Sequence, residues 1–170
     1  MDAAPDNDDQ MLAAVVAETE GFVAAAGWDQ PVQVFSLVRT ADLIAAEPQL
    51  ADQLSLGGAL TPIAQDALPS GDLSAALAGL AWPDAVVGCV LVQEIVVLPP
   101  AAAAELADQA DPDTAAAAHP ERQEARLAAG VLRTGAAACL LRLRAHPDSP
   151  LRGAELAPNL LQALLATFED

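Results

Sequence analysis

Ala85-Val86-Val87-Gly88-Cys89-Val90-Leu91-Val92-Gln93-Glu94-Ile95-Val96-Val97-Leu98 is the stretch on which the fold turns. Val86, Val87, Val90, Val92, Ile95, Val96 and Val97 are β-branched, and apolar side chains fall on both alternating faces. That pattern predicts a long inner strand buried on both faces. Trp82-Pro83-Asp84 stands before it and Pro99-Pro100 stops it. Glu94 is its one charged residue.

On the C-terminal side, 101–123 is an Ala/Pro-rich excursion containing Asp111-Pro112-Asp113 and His119-Pro120. Residues 124–133 and 136–145 read as two further strands, with Thr134-Gly135 as a two-residue hairpin turn. Pro147 and Pro150 mark a loop. Leu156, Leu160, Leu161, Leu164, Leu165 and Phe168 define a C-terminal amphipathic helix.

On the N-terminal side, residues 1–9 hold four Asp and read as a disordered acidic tail. Met11, Leu12, Val15, Val16, Phe22 and Val23 place an amphipathic helix over 10–26, ended by Gly27. Val32 to Val38 reads as an inner strand, followed by a short helix from Thr40 to Ala46. Pro48 restarts a helix to Leu54. Ser55 to Leu60 is a loop, and Thr61 to Leu68 is a short edge strand because of Pro62. Asp72 caps a helix carrying Leu73, Ala76, Leu77 and Leu80.

Residues 10–170 thus form a single α+β domain. Its sheet is mixed but mainly antiparallel, with about five strands and a three-strand meander at its end. The N- and C-terminal helices pack on one face.

Composition excludes more than it assigns. The chain has 170 residues, 54% of them hydrophobic and only 3% aromatic, and 41 are Ala. It contains no Lys and no Tyr, so a Lys Schiff base, a P-loop Lys and a Tyr general acid are impossible. The net charge is −17, yet residues 1–121 hold 19 acids and one Arg, while 122–170 hold five acids and six Arg. Such a surface is a poor partner for nucleic acid and for an anionic membrane. The longest strongly apolar run is too short to span a bilayer, and the acidic N-terminus is unlike a secretory leader. Cys89 and Cys139 lie far apart in apolar surroundings, which favours buried, reduced thiols and a cytoplasmic location.

No signature motif for a nucleotide, a metal or a nucleophile is present, so no catalytic residue, metal site or cofactor is predicted. His119 and His146 each precede Pro and have no second ligand at useful spacing. Glu94 is the residue that stands out, because a buried carboxylate needs a partner. Arg126, Arg142 and Arg144 lie in the two neighbouring strands and could supply it across the sheet. A two-residue turn at Thr134-Gly135 sets Arg142 opposite Leu127 and Arg126 opposite Leu143, so Arg126 and Arg142 fall on opposite faces. Arg142 and Arg144 share one. Trp28 and Trp82 are further candidate ligand contacts, although a Trp at a helix end more often packs that helix onto a sheet.

Several stretches occur together in a fixed order. They are Gly27-Trp28-Asp29-Gln30-Pro31, Thr61-Pro62-Ile63-Ala64-Gln65, Trp82 to Cys89, Val97-Leu98-Pro99-Pro100, His119-Pro120 and Ala129-Gly130-Val131-Leu132-Arg133. In these the chain resembles an uncharacterised family of actinobacterial proteins of unknown function. The resemblance covers most of residues 11–168 and implies an actinobacterial origin, but no activity, cofactor or catalytic residue. The expectation for function is a cytoplasmic, non-enzymatic binding or adaptor protein working through protein–protein contacts, as a homodimer or with another protein. The alternative is a small-molecule-binding protein or unrecognised enzyme with a Glu/Arg pocket on the sheet.

Overall fold

A computed structural model describes residues 5–50, 60–65, 77, 82–97, 123–153 and 156–168. In chain order the elements are α1 (Pro5–Ala24), β1 (Gln33–Arg39), α2 (Thr40–Ala46), a 3-10 turn at Pro48–Leu50, β2 (Leu60–Ala64), β3 (Val86–Val97), β4 (Gln123–Leu132), β5 (Ala137–Leu143), β6 (His146–Arg152) and α3 (Pro158–Ala166). The strands form one six-stranded sheet in the order β2-β1-β3-β4-β5-β6, and every pairing is antiparallel. The valine-rich stretch is the inner strand β3, and β3-β4-β5 is the expected meander.

The structure corrects the sequence expectation at several points. The sheet has six strands rather than five and no parallel pair among the described residues. The extra strand is β6, which contains Pro147 and Pro150, the residues that had suggested a loop. Proline is tolerated there because β6 lies at the sheet edge, where an amide donor is not needed on the outer side. The opposite edge is β2, and it contains Pro62. Helix α1 begins at Pro5, so five residues of the expected tail belong to it. Pro suits a first turn, because its fixed φ fits the helix and its missing amide would be unsatisfied there anyway. Residues 101–122 of the excursion and the helix expected after Asp72 lie outside the described residues, apart from a helical, buried Leu77, while Gln123 opens β4.

The helices also cover both faces of the sheet, not one. Leu12, Val15, Val16 and Val23 of α1 pack with Phe35, Leu37, Val90, Val92, Ala128, Leu132 and Leu140. On the other side Leu161 and Leu164 of α3 pack with Cys89, Leu91, Leu127, Ala129, Val131 and Leu141. A strand that is apolar on both faces requires cover on both, since each exposed face would cost about 25 cal/mol per Å² of apolar surface. Small residues set the approach distances. A Cβ on Gly130 would lie 2.6 Å from Val16 Cγ2, and one on Gly88 would lie 2.3 Å from the Val131 carbonyl oxygen.

Candidate functional site

The register between β4 and β5 determines the site. Arg126 pairs with Arg142, and Leu127 with Leu141. The connecting loop has three residues, Arg133-Thr134-Gly135, closed by a hydrogen bond from the Leu132 amide to the Ala136 carbonyl. Gly135 takes a left-handed φ of 101° at the third loop position. This is the turn-plus-bulge hairpin rather than the expected two-residue turn. One added loop residue shifts the register by one and turns side chains to the other face. Arg126 and Arg142 therefore stand side by side on the α1 face, correcting the sequence expectation.

Above them is Glu20, which the sequence analysis missed. On α1 the apolar residues Leu12, Val15, Val16 and Val23 leave one gap in their helical stripe, filled by Thr19 and Glu20. Positions that complete a stripe are buried whatever their polarity. Thr19 satisfies its hydroxyl by donating to the Val15 carbonyl at 2.7 Å. Glu20 is 1% exposed and accepts from Arg126 Nη1 at 3.1 Å and from Arg142 Nε at 3.0 Å. Phe22 was expected on the stripe and is instead 66% exposed, because it sits a quarter-turn away from Val23.

Arg126 is itself buried. Its Nη2 donates at 2.6 Å to the Gly27 carbonyl, just beyond the end of α1. A cation is favourable there because it meets the negative end of the helix dipole. Its Nε has no hydrogen-bond partner in the structure. The chain then turns through Gly27 (φ 95°) and Asp29 (φ 66°), both left-handed. Gly reaches that region freely, and Asp is among the few side chains that tolerate it. The turn lays Trp28 over Arg126, with the guanidinium carbon 4.3 Å from the ring centroid. Arg144 approaches the same ring at 5.2 Å.

Glu94 stands directly opposite Arg126 across β3 and β4. No ion pair joins the two among the described residues. Instead Glu94 Oε2 accepts from the Gln30 amide at 2.8 Å and fixes the far end of the turn. Arg144 pairs with Glu124 at 2.9 Å and more loosely with Asp29 at 3.9 Å, all at the surface. The structure thus brings Trp28, Glu94, Arg126, Arg142 and Arg144 into one cluster around the Gly27–Pro31 turn. Trp82 is not part of it.

Trp82 lies on the α3 face, stacked on Phe168 at 5.7 Å between centroids. Its Nε1 donates to Thr167 Oγ1 at 2.9 Å. Arg133 donates to the Val86 and Pro83 carbonyls and covers Phe168 from 4.8 Å. Together they fasten the end of α3 to the start of β3. Cys89 is buried beneath, and burial pushes its thiol up to about 12, partly opposed by a hydrogen bond with Thr167. A thiol so placed is almost wholly protonated at neutral pH and is a poor nucleophile.

Chemically, the Glu20 cluster is a charge-assisted clamp. One buried carboxylate is shared by two guanidiniums, one of which also caps a helix and stacks on an indole. Among the described residues no three His, Cys, Asp or Glu side chains are grouped to hold a metal ion. His146 falls within β6, and His119 lies outside the described residues. No described helix is long and apolar enough to cross a membrane.

The model of the PPA1309-like protein family matches residues 12–169. That span contains every motif quoted above, and the chain belongs to this family, which agrees with the resemblance to an uncharacterised actinobacterial family. No curated protein and no solved structure matches the chain.

Proposed function

We propose that this PPA1309-like protein is a non-enzymatic binding or adaptor protein of the cytoplasm, acting through protein–protein contacts. The observation that supports this is Phe22. Phe22 is 66% exposed on an otherwise amphipathic helix and leaves its ring available to a partner. Its ring meets Phe35 edge-on at 6.1 Å. The pair borders a groove of about 150 Å³ lined also by Glu18, Thr19, Pro62 and Ala64. Aromatic anchors at such positions carry a large share of binding energy in protein interfaces.

Charge favours another protein over a second copy as the occupant. Two copies would each bring a net charge of −17 to the contact. A basic segment with an apolar anchor would meet complementary charge at Glu18 and gain in association rate. Buried cysteines at Cys89 and Cys139 that are not joined in a disulfide fit a reducing compartment.

The pocket alternative has less support at the Glu94 cluster. Arg126 already commits Nη1 to Glu20 and Nη2 to Gly27, so a ligand taking its terminal nitrogens would have to displace a buried carboxylate. The test is a photo-crosslinking residue in place of Phe22, expressed in the native host. The expected outcome is a crosslink to one basic polypeptide, absent when the same residue replaces exposed Asp42. A strictly monomeric protein that crosslinks to nothing from position 22 would overturn the proposal.

A further inference from the structure

A second cavity, at the other end of α1 and independent of the Phe22 groove, has a different chemistry. It measures about 170 Å³ and is lined by Met11, Arg39, Leu60, Val87, Leu132, Arg133 and Thr134. Its floor is aliphatic and belongs to the edge of the α1-side core. Its wall carries two guanidinium side chains and one hydroxyl residue. Arg39 is the sole cation among the first 121 residues, which hold 19 acids. It is exposed, and its side chain forms no hydrogen bond or ion pair among the described residues. Arg126, Arg133, Arg142 and Arg144 are each held by a hydrogen-bond partner. Arg133 is bound to the Val86 and Pro83 carbonyls, so it contributes charge, while Arg39 offers an open fork.

We infer that this cavity binds a small aliphatic carboxylate, its anionic head on Arg39 and its tail on Leu60, Val87 and Leu132. A guanidinium presents paired donors that match a carboxylate, and the aliphatic floor has no polar group to reward a second charge. A recess of about 170 Å³ suits a ligand of a few non-hydrogen atoms, of which butyrate is an example. The acidic surroundings repel anions in general, so a cationic, apolar recess admits only an anion that also gains from the floor.

The test uses the full chain labelled with ¹⁵N and titrated with sodium butyrate, butylammonium chloride or 1-butanol. Butyrate is expected to move the amides of Arg39, Leu60, Val87 and Thr134 saturably at millimolar concentration. Butylammonium is expected to leave them unmoved, and butanol to act more weakly. Arg39→Gln is expected to weaken butyrate roughly ten- to hundredfold, as for one lost charge-assisted contact. Arg39→Lys should retain part of the affinity, which separates loss of charge from loss of fold. The inference is overturned if butyrate shifts no amide at this cavity, if butylammonium shifts the same amides equally, or if Arg39→Gln binds as the parent does.

Discussion

Replacing Glu20 by Gln tests whether the buried carboxylate is the counter-charge that holds α1 on the sheet. The parent carboxylate accepts from two guanidiniums, one per oxygen, at 3.1 and 3.0 Å. A carboxamide has one oxygen and one donor NH2, so one arginine keeps an acceptor and the other faces a donor. Arg126 suffers most, because it is buried and its Nε is already without a partner. Removing one member of a buried ion pair costs about 3–5 kcal/mol, a large part of a typical 5–15 kcal/mol. Urea unfolding followed by Trp fluorescence and far-UV dichroism should show the midpoint falling by about 1–2 M with little change in slope. Replacing all three charges (Glu20→Leu, Arg126→Met, Arg142→Met) should cost less than Glu20→Gln alone, since no charge is stranded. The Gly27 carbonyl would then lose its donor, at about 1–3 kcal/mol. A loss below about 1 kcal/mol for Glu20→Gln, or a triple variant weaker than the single, would refute the assignment of Glu20 as counter-charge.

Four further outcomes follow from the same structure. Truncation to Ala should destabilise in the order Arg126, then Arg142, then Arg144. The side chains are 2%, 26% and 43% exposed, and the Arg144 variant should lie within about 1 kcal/mol of the parent; urea midpoints give the order. Gly88→Ala should cost more than Gly130→Ala, because its Cβ meets a backbone oxygen at 2.3 Å rather than a side-chain methyl at 2.6 Å; calorimetry of both variants decides it. Cys89 should resist alkylation in the folded chain at pH 8 and react once unfolded, as mass spectrometry would show. Its thiol is raised from 9.0 to about 12 in the fold, so the unfolded chain loses that proton first. Stability should therefore be complete below pH 9 and fall above it, by up to about 1.4 kcal/mol per pH unit, with a shallower fall in Cys89→Ala.

The parts legible in the sequence were those fixed by short-range pattern. Continuous β-branched residues over Val86–Val97 marked an inner strand, Pro62 marked an edge, and Leu156 to Phe168 marked the terminal helix. The register was not legible, because Thr134-Gly135 fits a two-residue turn as well as the last two positions of a three-residue loop. That single residue decided whether Arg126 and Arg142 met. Glu20 was hidden because a carboxylate on a helix is ordinarily solvated. Its position in the gap between Val16 and Val23 was the signal available, and Thr19 beside it was another. Around Glu94 the structure gathers Trp28, Arg126, Arg142 and Arg144, but the expected Glu94–Arg pair does not form. A lone Glu opposite an Arg invites a pair, yet the turn from Gly27 to Pro31 presents a backbone amide that takes Glu94 first.

The prolines at Pro62 in β2 and at Pro147 and Pro150 in β6 carry a consequence for the protein at high concentration. The margin of a valine-rich sheet can be a template onto which further chains stack side by side. With a donor missing from each margin, lateral growth stalls at both ends. Over-concentrated or partly unfolded material should form amorphous precipitate, not thioflavin-positive fibres, and replacing these prolines by Val should reverse that preference.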